Sequence, residues 1–362
     1  MIQPDTSDGS WCMVTGGAGF IGSALVRRLV DRGRPVLSVD KLTYAANLAN
    51  CRAVQGSPNY RFEKTDIADG SAMAQLFAAY RPRTVFHLAA ETHVDRSIDG
   101  PGPFIETNVL GTSILLDVVR AHWQRLPEPE RAIFKFIQVS TDEVYGSLTQ
   151  RCTINPTSRY NPSSPYAASK AAADHLVRAW HRTYGLPAVV TNCGNNYGPY
   201  QFPEKLIPLT ILNAWEGREL PVYGRGENVR DWIFVDDHTA ALERVADVGR
   251  PGETYLLGAR AERRNIDVVR SICAVLDDLS PKPELPGGHA DLIRFVTDRP
   301  GHDFRYAIDP SAAEWELGWR AERPFEGALR DTVQWYLANQ AWCDEATEIY
   351  RRGRLGLVAG AV

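Results

Sequence analysis

The chain has 362 residues, more than one hydrophobic core usually serves, which predicts two domains or one large α/β unit with an appendage. Apolar residues make up 44% and the formal net charge is −4, which excludes a disordered chain and gives no ground for nucleic acid or an anionic membrane as a general partner. Six dispersed cysteines (Cys12, Cys51, Cys152, Cys193, Cys273, Cys343) show no metal-ligating spacing, so reduced thiols and no metal are expected. No apolar run approaches the roughly 20 residues of a spanning helix. The acidic, polar start MIQPDTSDGSW lacks the basic and apolar regions of a signal peptide, and a cytoplasmic location is expected.

The first half alternates strand-like and helix-like segments. WCMVTGG is a short apolar strand. GSALVRRLVDRG has helical spacing, with Leu25, Leu29 and Val30 on one side, arginines on the other and Gly33 ending it. PVLSVDK, YRFEKTDI, TVFHLAA, IFKFIQVST and PAVVTNCGN follow as strands, with helical stretches near 70–80, 105–123 and 166–184. This order predicts a doubly wound parallel α/β sheet of the Rossmann type over 11–196, with a later return of the chain near 231–258. From Tyr197 the texture changes. YGPYQFPEKLIP is rich in aromatics and proline, and LPVYGRGENVRDWIFVDD reads as two short strands around a Gly-rich turn. ETYLLG, a helical NIDVVRSICAVLDDL and a last helix near 326–341 complete a smaller C-terminal α/β domain over 197–342, expected to bind substrate, with a fraying tail over 343–362.

VTGGAGFIGSALV places Gly16, Gly19 and Gly22 between the first strand and the first helix, around Phe20 and Ile21. Side chains at the glycines would hold a pyrophosphate away from the helix N-terminal N–H groups. Asp40 ends the second strand, where a carboxylate suits a ribose 2′-OH and repels a 2′-phosphate. NAD is therefore favoured over NADP, with Lys41 beside the acid softening the preference. Asp66 and Ile67 after the third strand, and Leu88, Ala89 and Ala90 after the fourth, sit where adenine and ribose would lie.

Tyr166 and Lys170 in SPYAASK share one helix face. A neighbouring ammonium lowers a phenol's pKa, so Tyr166 is a candidate base for a substrate alcohol as its carbon gives hydride to NAD. VSTDEVYG poses a further question. Asp142 and Glu143 close an apolar strand, although acids disfavour strands and are costly to bury. Neighbours in an extended strand point to opposite faces, so a pair acting on one bond belongs at the strand end, where the chain turns. His87, inside a strand, reads as a hydrogen-bonded core residue. His93 and Arg96 fit either a structural or a phosphate-facing role.

Glycines 16, 19 and 22 with Tyr166 and Lys170 resemble the extended short-chain dehydrogenase/reductase family, whose members mostly modify nucleotide sugars. The stretches DKLTYAANL, AAETHVDRSI, STDEVYG, NPSSPYAASKAAADHLVRAW, NCGNNYGPYQFPEKLIP and DRPGHDFRYAID narrow the resemblance to members that dehydrate dTDP-glucose. That resemblance implies that NAD is tightly bound, that the substrate is dTDP-glucose, and that the chain is a homodimer through the helices near 105–123 and 166–184. It implies that Thr141 lies at the sugar 4-OH beside Tyr166, that Asp142 is the acid at the C6 hydroxyl and that Glu143 is the base at C5. By the same resemblance, Glu91, Asn196, Glu204, Lys205, Leu206, Tyr223, Arg230, Asn265, Arg299 and His302 line the nucleotide-sugar site. The implied reaction oxidises C4, which acidifies the C5 hydrogen; water then leaves across C5–C6, and hydride returns to C6. UDP-glucose as substrate and 4-epimerisation on the same fold are the alternatives; the acid pair argues against the second. One departure stands out: such enzymes usually carry an acidic residue shortly before the NPSSPY-like stretch, and here the segment is Ile154-Asn155-Pro156.

Overall fold

The protein is described by a computed structural model covering residues 10–148 and 152–350. Most of the polar N-terminal stretch and the end of the expected tail lie outside these residues.

Twelve strands are formed among the described residues. They are β1 (Cys12–Thr15), β2 (Val36–Asp40), β3 (Tyr60–Lys64), β4 (Thr84–His87), β5 (Lys135–Thr141), β6 (Ala188–Cys193), β7 (Asn195–Tyr197), β8 (Leu220–Tyr223), β9 (Val229–Phe234), β10 (Thr254–Leu257), β11 (Glu262–Arg264) and β12 (Ile293–Val296). Seven form one sheet in the order β10-β6-β5-β4-β1-β2-β3. Every pairing in it is parallel. Alternate residues serve opposite faces, as the pleat demands. Val14, Ile137 and Val189 pack with Leu25 and Leu29 of helix Phe20–Asp31 and Leu242 of helix Val235–Val248. Met13, Phe136 and Val190 pack on the other face with Phe77, Leu115 and Val177. These come from helices Gly70–Tyr80, Thr112–Arg125 and Pro165–Tyr184. The doubly wound parallel sheet expected from the sequence is present. Its order reverses at β1, whose neighbours are β2 and β4, so the crevice outside the strand C-termini there is the place for a ligand.

Several local readings change. The strands flanking the Gly-rich turn at 224–228 are not partners: β8 pairs in parallel with β12, and β9 lies between β7 and β11. The turn instead folds against helix Asn265–Leu279, where the Ile266 N–H donates to Gly226 O. The return to the main sheet is made by helix Val235–Val248 and β10, while β9 stays in the three-stranded sheet. The last helical stretch is two helices, Phe325–Ala338 and Gln340–Tyr350, interrupted at Asn339. The segment expected as tail from 343 therefore begins as helix, because Cys343 and Ala346 are apolar and buried with Trp342 in a separate core. That core also holds Ile211, Ile272, Val333 and Tyr336.

Ile154, in the segment that departs from the resembling pattern, is fully buried. It bridges to Ile308, donates its N–H to Ala307 O at 2.8 Å and accepts from the Asp309 N–H at 2.9 Å. An apolar anchor fixes the loop where an acidic residue was expected.

Candidate active site

Backbone proximity builds the first half of the site. Gly16 has φ +71°, and a Cβ on it would lie 2.7 Å from Ala89 N. A Cβ on Gly22 would lie 2.0 Å from Gly16 O. The glycines thus bring loop, helix and β4 end together more closely than any side chain allows. No side chain caps helix Phe20–Asp31 at Gly19. Asp40 is buried and clasps the loop, accepting from the Ala18 N–H at 3.1 Å and the Leu42 N–H at 2.8 Å. Burial raises its pKa, and those two N–H groups and Lys41 oppose the rise. Lys41 donates to Thr107 Oγ1 at 2.9 Å and lies 3.4 Å from Asp66, so its charge is shared with an acid across the crevice.

A cavity of about 290 Å³ runs from this loop to the end of β5. Its walls include every candidate cofactor residue: Gly16, Gly19, Phe20, Ile21, Gly22, Asp40, Lys41, Asp66, Ile67, Leu88, Ala89, Ala90, Tyr166 and Lys170. Thr141, Asp142, Glu143, Glu91, Asn196, Glu204 and Lys205 line it as well. The side-chain-free cradle and the carboxylate at the end of β2 fit a dinucleotide.

At the far end, β5 stops at Thr141 and one 3-10 turn, Asp142–Tyr145, follows. Thr141 caps this turn: its hydroxyl oxygen accepts from the Glu143 N–H at 3.2 Å, and the hydroxyl donates to Asp142 Oδ1 at 3.2 Å. The turn puts both acids on the cavity, as a strand alone could not. Asp142 is fully buried, and its Oδ2 has no hydrogen-bond partner. Burial, with the charge of Glu143 beside it, pushes Asp142 well above the ordinary carboxylate range. Glu143 is half-buried. Burial raises it too, but Arg299, Arg230 and Lys205 all favour its anion. Both acids are raised, Asp142 the further: the basic neighbours oppose the rise more at Glu143, so of the two Asp142 is the better proton holder.

Tyr166 is buried beside them. Burial and the charge of Glu143 push its phenol well above its usual value, with a hydrogen bond to Thr141 opposing. The lowered phenol pKa expected from the Tyr-Lys spacing is absent from this structure. Lys170 donates to Val139 O at 2.8 Å, and its charge is balanced chiefly by Asp174.

Among the described residues, Leu206, Tyr223, Arg230, Asn265, Arg299 and His302 do not line this cavity. Leu206 opens helix Leu206–Trp215 and packs on its core. Tyr223 and Arg299 both donate to Asp95, each at 2.9 Å. His302 holds Asp298 at 2.6 Å and stands edge-on to Tyr223. Arg230 stacks on Tyr306, its Cζ 4.4 Å from the ring centroid, and reaches the acids by its field alone. Asn265 begins helix Asn265–Leu279 with its Oδ1 buried and unpartnered. His93 caps helix Val94–Asp99, and Arg96 lies over the Tyr44 ring, 3.8 Å from its centroid; both point at Glu204 rather than into the cavity. His87 bonds Thr15 and Thr112 inside the core, as expected. The sequence reading missed Cys193 on the cavity wall, Asp174 behind Lys170 and Asp95 behind Arg299. The four-residue step from Lys170 to Asp174 was the available signal for the second.

The family described as GDP-mannose 4,6 dehydratase matches residues 13–332. A probable dTDP-glucose 4,6-dehydratase of Sinorhizobium fredii is 56% identical, over 96% of this chain and 99% of the relative. The dTDP-glucose 4,6-dehydratase of Escherichia coli is 53% identical, again over 96% of this chain and 99% of the relative. Among solved structures, a dTDP-glucose 4,6-dehydratase from Streptomyces venezuelae with NAD bound superposes with a TM-score of 0.84 at 42% identity, covering 93% of this chain and 99% of that one. By family match, near-complete coverage and a shared fold, the chain belongs to the GDP-mannose 4,6 dehydratase family.

Proposed function

We propose that the chain is an NAD-dependent hydro-lyase that converts dTDP-glucose to dTDP-4-keto-6-deoxyglucose. The observation that carries this reading is the pair Asp142 and Glu143, held by one turn at the end of the dinucleotide cavity. Its relatives of more than half identity are dehydratases of that substrate.

Bound NAD supplies the oxidant at C4 and gives the electron pair back at C6. Tyr166, hydrogen-bonded to Thr141, acts as the phenolate, whose charge Lys170 stabilises, and becomes the neutral phenol on taking the C4 hydroxyl proton. The 4-ketone makes the C5 hydrogen acidic. Glu143 removes it, and its three basic neighbours hold the site positive. Asp142 gives its proton to the C6 hydroxyl, which leaves as water. Asn196, Glu204, Lys205 and Leu206 lie near the sugar diphosphate, and Glu91 and Asn265 also belong to the substrate site. Tyr223 and Arg230 face the nucleobase and diphosphate, and Arg299 and His302 the far side of the nucleotide, reached once their present partners are exchanged for substrate.

The larger domain, over 11–196 with the later return, holds the cofactor, and the region from 197 holds the nucleotide sugar. The helical faces at 105–125 and 165–184, which expose Ile105 and Leu110, pair two copies in the cytoplasm. Incubation of the purified chain with dTDP-glucose, followed by mass spectrometry, tests the reading. Loss of one water without net reduced cofactor is expected. An isomer of unchanged mass would show a 4-epimerase, and preference for UDP-glucose would reassign the base.

A further inference from the structure

One buried polar side chain is used by no step of the reaction yet touches both ends of the catalytic turn. Asn192 lies in β6, opposite Ser140 of β5, with no solvent exposure. An amide in a fully buried strand is costly unless every group is bonded. Its Nδ2 donates to Thr141 O at 3.1 Å and to Asp174 Oδ2 at 3.2 Å. Its Oδ1 accepts from the Tyr145 hydroxyl at 3.3 Å. The reversed amide would set an oxygen against a carbonyl and a carboxylate, so these partners fix its orientation. Thr141 precedes the 3-10 turn and Tyr145 ends it. One side chain therefore spans the segment that carries Asp142 and Glu143.

Asp174 seats that side chain. The same Oδ2 accepts from Ser140 Oγ at 2.8 Å and from the Tyr160 hydroxyl at 2.9 Å. Arg178 Nη2 in turn donates to the Tyr160 oxygen at 2.7 Å. Asp174 stands one helical turn beyond Lys170 and supplies its main counter-charge. The polar cluster thus links the helix bearing Tyr166 and Lys170 to the strand end bearing the acids.

We propose that Asn192, seated by Asp174, is a positioning residue that sets the angle of the Asp142–Glu143 turn and so controls water elimination more than C4 oxidation. This rests on the dehydration reading of the site. Tyr166 is placed by its own helix, tied to helix Val94–Asp99 by the Tyr166 N–H on Ser97 Oγ at 3.1 Å, and not by Asn192. The acid turn is also held by Thr141, whose hydroxyl oxygen accepts from the Glu143 N–H at 3.2 Å, and by the Asn161 N–H on Val144 O at 3.0 Å, but Asn192 is the side chain that ties its two ends together. A misplacement near 1 Å costs on the order of 100-fold in a reacting group.

The test is a quenched single turnover of dTDP-glucose on the NAD-loaded protein, read by mass spectrometry. It scores the oxidised sugar, lighter by two hydrogens, and the dehydrated one, lighter by a water. Wild type is run beside Asn192→Ala and the milder Tyr145→Phe, which removes only the hydroxyl end of the clamp. Elimination should slow by about 10- to 100-fold in Asn192→Ala and about 3- to 10-fold in Tyr145→Phe, with oxidation changed less than about threefold, so that the oxidised sugar accumulates. Equal slowing of both steps in both variants, or no change in Tyr145→Phe, overturns the assignment. Failure of wild type to dehydrate the sugar overturns the underlying reaction instead.

Discussion

The two ends of the cavity are built on opposite principles. At the β1 and β2 ends side chains are removed: Gly16 and Gly22 let backbone approach where a Cβ would collide. At the β5 and β6 ends ionisable side chains are packed in: Asp142, Lys170, Asp174 and Tyr166 are all buried. The first end achieves binding at little electrostatic cost. The second holds groups away from their ordinary pKa values, at a cost in stability. The difference teaches where specificity for reaction type resides. A dinucleotide cradle serves many reactions; in the proposed mechanism the acid pair selects one.

Substitutions can break this contrast in order of expected effect. Tyr166→Phe removes the proposed proton acceptor, and C4 oxidation should fall about 10²–10⁴-fold in a single turnover while NAD still copurifies. Retained oxidation would move the base elsewhere. Gly22→Ala drives a methyl to 2.0 Å from Gly16 O. Bound NAD should be lost and thermal unfolding lowered, for about 1–3 kcal/mol of overpacking; unchanged cofactor content would show that the loop yields. Asp40→Asn removes the charge and, because an amide nitrogen cannot accept, one of the two clasp hydrogen bonds; the ratio of NAD to NADP affinity should fall about tenfold in a titration.

The smallest effect concerns stability and has a defined sign. Asp142 has a folded pKa raised above its unfolded value. Its stabilising contribution is full below the unfolded pKa, about 3.9, and is lost as pH rises through the folded value. Asp142→Asn should therefore raise Tm at neutral pH by about 2–4 °C, with the gain shrinking near pH 4. A gain that grew with acid would place the carboxyl in a charged, paired state. The same shifts shape activity. Elimination should fail as pH drops through the Glu143 pKa and as pH rises through that of Asp142.

The fold of the first half was legible because its strands are short apolar runs separated by helical repeats, a pattern local enough to read. The cofactor wall was legible because glycine spacing encodes backbone contact directly. The pairing of β8 with β12 was not, since strands about 70 residues apart leave no local signal of partnership. Positions such as Leu206, Tyr223 and Arg299 came from resemblance, and in this structure Leu206 packs on its core while Tyr223 and Arg299 both bond Asp95, rather than lining the cavity. The difference in setting between Asp142 and Glu143 was invisible to spacing. It depends on burial and on Arg299 and Lys205, brought to Glu143 from distant parts of the chain. The depression of the Tyr166 phenol failed as an expectation because i, i+4 spacing sets proximity but not the desolvation that competes with it.

The central claim is that the two acids divide one elimination between them. A quenched single turnover of dTDP-glucose with NAD-loaded Glu143→Gln tests it most directly. The account predicts that the 4-keto sugar forms and keeps its C6 hydroxyl, with water loss slowed about 10²–10⁴-fold. Dehydration at the wild-type rate would contradict it.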